Sequence, residues 1–389
     1  MTTCVSVGTG RDRTERPVGA ARSCALIAPT IALAACSLAV ASAPATRPAS
    51  GAAAEAFRML DRNGDGKITR DELPRPVLFG MMDRNRDGEV TPAEAAAVMG
   101  RLMPGATSRP AAAGPAVAMD KHLNLRYATV EGVDPNLLSL DVYAPKAARN
   151  CPVMVMIHGG GWRMGDKSNP AVGQSKAAHF VAAGCIYVSV NYRLTPAVQH
   201  PVHVQDVAKA LAWVDANIAR YGGDPKRIII MGHSADAHLA ALVATDERRL
   251  KAEGRDLGIV KGVVLLDGAG YDVPRQIAAA GAVLRGMYEA AFTKDLAAQR
   301  DASPITHVAA GKGIPPFLIL YVASRPDAAD QSNRLADALR KAGVRAEAIP
   351  CQGKNHMTIN QDIGAPGDKP TAAIMDFLRG LTVATRPAN

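Results

Sequence analysis

The stretch RIIIMGHSADAHLAALVAT, residues 227–245, decides how the rest of the chain is read. Arg227–Met231 is a short, apolar, β-branched run, which is the pattern of a buried strand. Ala237–Val243 is rich in Ala and Leu, which favour helix. Only Gly232-His233-Ser234-Ala235-Asp236 joins the two. A strand that passes into a helix over so few residues has to turn sharply. Such a turn lifts the Ser234 side chain above the sheet, with a helix N-terminus behind it. A serine that merely caps a helix satisfies the same local pattern, so the surrounding sequence has to separate the two.

The alternation continues on both sides. Val153–Ile157, Ile186–Val190, Gly262–Leu266, Phe317–Val322 and Arg345–Ile349 are further strand candidates. Between them, Val204, Val207, Leu211, Val214 and Ile218 recur at helical spacing until Tyr221-Gly222-Gly223 ends the helix. Residues 332–342 repeat the pattern with Leu335 and Leu339. Strands alternating with amphipathic helices from about 120 to 382 predict an α/β domain whose mostly parallel sheet is covered on both faces. The stretch 123–143 predicts antiparallel edge strands.

His158-Gly159-Gly160-Gly161-Trp162 follows the strand 153–157. A run of glycines lets the backbone turn its N–H groups toward a developing negative charge. A serine hydroxyl is a weak nucleophile at neutral pH and needs a base, and the base needs a group to orient it. Behind an elbow of this kind an acid and then a histidine are expected later in the chain. Strand 317–322 runs into ASRPDAAD and strand 345–349 into PCQGKNHMTIN, so Asp327 and His356 both lie just past strand ends, with Asp330 as the alternative acid. His158 and His233 read as scaffolding of their motifs.

HGGGW, NYRLTP, the helix ending in RYGGDPKRI, and GHSADAHLAA occur in the order that is similar to hormone-sensitive-lipase-like and kynurenine-formamidase-like α/β hydrolases, and bacterial members with feruloyl or acetylxylan esterase labels are the most alike. The resemblance covers about residues 120–382 and implies an α/β-hydrolase fold with a mostly parallel eight-stranded sheet. It implies ester hydrolysis through an acyl-enzyme, with Ser234 attacking, His356 shuttling the proton and Asp327 orienting His356. Gly160 and Gly161 are carried over as oxyanion donors, completed by the Ala235 N–H. The chemistry calls for no cofactor. About fifty residues between Leu266 and Phe317 are expected to cap the acyl pocket, with Tyr271, Leu284, Met287, Tyr288 and Phe292 as candidate lining.

One position departs from the family pattern G-x-S-x-G: Asp236 stands where the last Gly belongs. An aspartate adds bulk and charge. Pointed at the triad, it opposes the oxyanion; pointed along the helix N-terminus, it acts as a cap and costs little.

Ahead of this domain, DRNGDGKITRDE (61–72) and DRNRDGEVTPAE (83–94) both fit a twelve-residue calcium loop. Oxygen ligands fall on Asp61, Asn63 and Asp65 and on Asp83, Asn85 and Asp87, with a glycine at the sixth position of each loop. Lys67 and Glu89 need offer only a carbonyl, Thr69 and Thr91 stand where water often intervenes, and Glu72 and Glu94 bind through both oxygens. Hard oxygens in a flexible cage suit Ca²⁺. Ten residues separate the loops, two of them Pro74 and Pro76, so the pair resembles the compact calcium pairs of bacterial extracellular proteins, dockerins among them. A structural or docking role is expected, because a sensor needs long helices to open.

The N-terminus carries Arg11, Arg13, Arg16 and Arg22, then a short apolar run from Cys24 to Ala35, which is too short for a comfortable membrane span. Leu33-Ala34-Ala35-Cys36 resembles the bacterial lipoprotein box. That resemblance implies a lipid on Cys36, and Ser37 after it implies the periplasmic face of the outer membrane; an ordinary export signal is the alternative. The organisation expected is a signal over 1–35, a tether over 36–50, an EF-hand pair over 51–103, a linker over 104–118 and the α/β-hydrolase domain over 119–385. In an exported protein Cys151 and Cys185 have the opportunity to pair, and spacing leaves that open. Of 389 residues 48% are apolar, enough for a sizeable core. The net charge of +9 is spread thinly, with no basic stripe or recognition motif, so nucleic acid is not an expected partner. The partners expected are an ester of a small molecule or an acylated carbohydrate, and a membrane through Cys36. Hydrolysis of an aryl formamide uses the same machinery, and a catalytically weakened surface binding protein is the reading that Asp236 keeps open.

Overall fold

The computed structural model describes residues 57, 60–61, 64–73, 79–80, 82–95, 117–169 and 175–383. The signal, the tether, most of the linker and Asn63 lie outside the described residues.

In the N-terminal module the two loops are joined by a minimal ladder, β1 (Ile68–Thr69) against β2 (Glu89–Val90), antiparallel with Ile68 opposite Val90. Ile68 and Val90 are fully buried and share a small core with Phe57, Leu73, Phe79, Met82 and Ala95.

The larger domain opens with β3 (Met119–Arg126) and β4 (Ser139–Pro145). These are the expected antiparallel edge strands, with a bulge between His122 and Leu125. Then follow β5 (Cys151–Ile157), α1 (Ser175–Ala182), β6 (Ile186–Val190), α2 (Val202–Asn217), β7 (Gly223–His233) and α3 (Ala235–Thr245). A short helix, α4 (Glu247–Lys251), leads to β8 (Val260–Leu266). Four helices fill the next stretch: α5 (Val273–Ala279), α6 (Ala282–Phe292), α7 (Leu296–Asp301) and α8 (Pro304–His307). The chain closes with β9 (Phe317–Val322), α9 (Pro326–Lys341), β10 (Ala346–Cys351), α10 (Thr358–Gln361) and α11 (Lys369–Val383).

The eight strands order as β10-β9-β8-β7-β5-β6-β4-β3. All neighbours from β10 to β6 are parallel, and β4 and β3 run antiparallel at the edge. This is the α/β-hydrolase sheet expected from the sequence. Successive side chains of a strand face opposite sides, and both sides are buried. Val153, Val155 and Ile157 of β5 enter a core with α2, α3 and α9, whereas Met154 and Met156 enter a second core with α1 and α11. Each large aliphatic side chain buried this way contributes about 1.5–3 kcal/mol. Helix α3 is buried on every side, which explains the predominance of Ala, Leu and Val in its sequence.

Two expectations change. Helix α9 starts at Pro326, six residues before the periodic pattern becomes visible, because proline suits the first helical position. Cys151, Cys185 and Cys351 are free thiols, so the pairing left open by spacing is not made. Among the described residues no helix is long and apolar enough to cross a membrane.

Candidate active site

Because β5 and β7–β10 are parallel, the loops after them leave the same edge of the sheet, where ligands of open α/β sheets bind. The turn after β7 places Ser234 at φ 60° and ψ −124°. A non-glycine residue there is strained and is held by its surroundings. The Ser234 N–H donates to the Leu266 carbonyl at 3.0 Å, tying the turn to β8. Gly232 has to be glycine, since a Cβ there would lie 2.2 Å from the Asp236 carbonyl oxygen.

His356 lies in the loop between β10 and α10. Its Nε2 is 2.9 Å from Ser234 Oγ, and its Nδ1 is 2.6 Å from Oδ2 of Asp267. Asp267 is the first residue after β8, and its side chain is fully buried. The Val322 N–H donates to its Oδ1 at 2.9 Å, and its own N–H donates to the Leu320 carbonyl at 2.7 Å. Burial pushes the Asp267 carboxyl up. The His356 hydrogen bond, the Arg325 charge and the Val322 N–H outweigh it and hold the group at about 2. Asp267 is therefore ionised throughout the working range and accepts from Nδ1–H, which leaves the Nε2 lone pair facing the serine.

This corrects the acid expected from the sequence. Asp327 does not reach His356. It sits in the first turn of α9 and accepts from Arg325 Nη2 at 2.8 Å. Asp330, the alternative, forms a two-bond pair with Arg275 at 2.7 and 2.9 Å. The physical reason is local: Asp267 is the first residue past β8, its buried carboxylate held by the Val322 N–H, whereas Asp327 stands five residues past β9, in the first turn of α9, where Arg325 takes it up. Two signals bear on it. The dipeptide Leu266-Asp267 ends an apolar strand, and Pro326-Asp327 is a helix start, with proline first and an acid in the first turn.

The two other histidines of the site are scaffolding, as expected. The His233 Nε2–H donates to the His356 carbonyl at 2.8 Å, and burial pushes the His233 pKa well below the usual value. His158 stacks on Tyr192 at 4.9 Å between ring centroids, and burial lowers its pKa to about 4.

The glycine loop follows β5. Gly160 and Gly161 have φ of 144° and 64°, and the Gly160 carbonyl accepts from the N–H groups of Arg163 and Met164 at 3.2 Å. A Cβ on Gly159 would lie 3.7 Å from Ser234 Cβ, so the loop backs onto the elbow. A Cβ on Gly161 would lie 2.8 Å from Met287 Sδ, which brings α6 over the loop.

Of the expected pocket lining, Met287 faces the glycines of this loop. Tyr271, Tyr288 and Phe292 are buried, and the latter two form an aromatic core with Trp162, at 5.4 and 4.7 Å between centroids. Leu284 is 47% exposed.

Asp236 adopts neither orientation expected of it. Its side chain is completely buried, and Oδ1 accepts a short hydrogen bond from the Tyr192 hydroxyl. It caps no helix N–H. Burial pushes its carboxyl well above the usual range, against the pull of the Tyr192 bond, and so disfavours a negative charge at this position.

In the calcium loops, Asp61 accepts from the N–H groups of Gly64 and Gly66 at 2.8 and 3.0 Å, and Asp83 from those of Asp87 and Gly88 at 3.1 Å each. Gly66 and Gly88 have φ of 83° and 89°, the sharp turn that only glycine makes freely. The Lys67 and Glu89 side chains pair with each other at 2.5 Å across the ladder, which leaves their carbonyls for a ligand. Glu94 accepts from the Thr91 N–H at 3.0 Å while its own N–H donates to Thr91 Oγ1 at 3.3 Å, a capping box. Glu72 accepts from Thr69 likewise, at 2.9 Å. The inward carboxylates and the turning glycines fit a hard, oxygen-bound cation.

Comparison with known proteins bears on both modules. Residues 53–78 and 75–99 match the EF-hand family model. A probable carboxylic ester hydrolase, LipM of Mycobacterium tuberculosis, is 36% identical over 178 residues, 44% of this chain and 40% of that protein. Carboxylesterase NlhH of the same species is 44% identical over 106 residues, 26% of this chain and 32% of that protein. The chain therefore spans about a third to two fifths of the length of these curated relatives. Among solved structures, an inhibited esterase B from Lactobacillus rhamnosis superposes with a TM-score of 0.57 at 21% identity, covering 69% of this chain and 89% of that one. A truncated carbohydrate esterase from gut microbiota gives a TM-score of 0.54 at 23% identity, covering 69% and 99%. At these identities the likeness is one of fold. The BD-FAE family model matches residues 140–339, just over half of the chain, from within β4 to within α9. The chain belongs to the BD-FAE family of α/β hydrolases.

Proposed function

We propose that this protein is a serine hydrolase that cleaves carboxylic esters of small acyl groups through an acyl-enzyme. The observation that carries the reading is the unbroken relay from Asp267 through His356 to Ser234, at 2.6 and 2.9 Å. His356 Nε2 takes the proton as Ser234 Oγ bonds to the ester carbonyl carbon. The N–H groups of Gly160, Gly161 and Ala235 are assigned to the oxyanion, each such donor being worth about 10²–10³ in rate. As the tetrahedral adduct collapses, the C–O bond to the alcohol breaks and His356 returns its proton to the leaving oxygen. Water then repeats the sequence on the acyl-enzyme. The named esterase relatives support ester over amide chemistry.

Ser234→Ala should remove nearly all turnover of p-nitrophenyl acetate with the melting temperature retained, and a fluorophosphonate probe should label Ser234. Full activity in that variant would sink the reading. A panel of acetylated and feruloylated sugars beside an aryl formamide identifies the leaving group.

In the N-terminal module we assign Ca²⁺ to the two loops as a structural ion, held by Asp61, Asn63, Asp65, Glu72 and the Lys67 carbonyl in one and by Asp83, Asn85, Asp87, Glu94 and the Glu89 carbonyl in the other. Thr69 and Thr91 are assigned the water-mediated positions. The N-terminal sequence supports an exported lipoprotein anchored at Cys36, at the periplasmic face of the outer membrane. A diacylated Cys36 peptide from membrane fractions is the expected finding, and an unmodified, soluble mature form would refute it.

A further inference from the structure

Arg325, the residue that precedes α9, has no place in the relay just described, yet it touches every part of it except the serine. Its Nη2 donates to Asp327 at 2.8 Å. Its Nη1 donates to Asp267 Oδ2, the same oxygen that holds His356. That Nη1 also lies 2.8 Å from His356 Nδ1. A guanidinium has donors only. If Nδ1 carries its proton, two N–H donors converge on one carboxylate oxygen at hydrogen-bond distance from each other. If Nδ1 has lost it, Arg325 can donate to the ring itself, and the imidazole proton then sits on Nε2, facing Ser234 Oγ. The first arrangement leaves a base for the serine. The second leaves none.

We propose that Arg325 is a positioning residue that competes with His356 for Asp267 and thereby sets which proton arrangement the base adopts, with Asp327 as the counter-ion that draws the guanidinium off the ring. This inference rests on Ser234, His356 and Asp267 being the triad. Asp327, expected from sequence as the acid, acts on the base only through Arg325. The cation also opposes the imidazolium that forms when His356 takes the serine proton, because like charges in contact disfavour the second charge. The other groups around His356 do not supply this effect. Asp267 acts in the opposite sense. His233 packs at 4.7 Å between centroids and is neutral, with the buried Lys176 of α1 acting on it from behind. Lys354, in the same loop as His356, is taken up by Asp362 and Asp368 at 2.8 and 2.5 Å.

The test is the pH dependence of kcat/KM on p-nitrophenyl acetate for Arg325→Gln, Arg325→Lys, Asp327→Asn and the double variant Arg325→Gln/Asp327→Asn. Arg325→Gln should move the acidic limb to higher pH by about one unit, since the cation that disfavours the imidazolium is gone. Arg325→Lys keeps the charge and should leave the limb near that of the wild type. Asp327→Asn frees Arg325 toward the ring, so the limb should move to lower pH and the plateau should fall a few-fold. In the double variant the Asp327→Asn effect should vanish, because the cation it acts through is absent. A limb that stays in place or moves to lower pH in Arg325→Gln would overturn the proposal. So would an Asp327→Asn effect of the same size with and without Arg325. If Arg325→Gln does not fold, Asp327→Asn decides alone, and an unmoved limb overturns the proposal. Failure of the triad reading is separate: it appears as turnover retained in Ser234→Ala.

Discussion

The calcium loops and the hydrolytic site are built in opposite ways. Each loop draws its ligands from twelve consecutive residues, so its geometry follows from local spacing and one glycine turn. The relay joins Ser234 to His356 across 122 residues, and His356 to Asp267 across 89. Its geometry is set by which strand tips are neighbours, a property of the whole sheet. A site of the first kind can be read from sequence almost atom by atom. In a site of the second kind, a group is legible only where the local turn betrays it.

The sharpest break between the two carboxylates near the base lies in their removal. Asp267→Asn should lower kcat by about 10³–10⁴, because the amide cannot hold Nδ1–H and favours the wrong tautomer. Asp327→Asn should cost only a few-fold. Equal losses in the two would return Asp327 to the relay. Both variants should still melt cooperatively, which separates chemistry from folding.

Asp236 gives the next largest effect, on stability instead of rate. Its pKa in the folded protein is raised, so folding takes up a proton there. The stability tied to that proton is fully present below the ordinary carboxylate range and falls as pH climbs toward the folded-state value. Asp236→Asn has nothing to deprotonate. Its melting temperature should therefore gain on that of the wild type as pH rises above the ordinary carboxylate range, and a gap that moves the other way would contradict a raised carboxyl pKa. Asp236→Gly leaves a cavity and an unpaired Tyr192 hydroxyl, at a cost of about 2–4 kcal/mol, without the rate gain expected of restoring the family glycine.

The smallest effect is expected from calcium on catalysis. A chelator should lower the melting temperature of residues 51–103, with an apparent Kd on the order of 10⁻⁴ M, as in extracellular modules. The hydrolase kcat should stay within about twofold, because no ligand of either loop belongs to the relay. A large loss of kcat in chelator would show that the two sites are coupled.

The same contrast explains what could be read beforehand. The five inner strands among the candidates were legible because strands buried on both faces are apolar runs, the edge strand β10 by its place after an amphipathic helix, and Ser234 because Gly232 and Ala235 mark a turn that few other structures need. His356 was legible as a histidine past the last strand. Asp267 was not, since three carboxylates lie just past the ends of β8 and β9, and the helix-start signal at Pro326-Asp327 argues against one of them without picking out Asp267. What ranks them is a fully buried site with a Val322 N–H and the His356 ring already aimed at it. The aromatic residues before β9 misled for a related reason: a tyrosine or phenylalanine at helical spacing reads alike whether it lines a pocket or fills a core, and Trp162, distant in sequence, makes Tyr288 and Phe292 core.

His233 stands between the glycine that permits the elbow and the serine it presents, and its ring holds the main chain of His356 at 2.8 Å. The nucleophile and its base are thus fastened by a bond that takes no part in proton transfer. Heat that loosens the loop after β10 must either break that bond or tug on the end of β7 along with it. Inactivation on warming should accordingly be abrupt, with the two partners parting together, where an unfastened loop would let the rate fade by degrees.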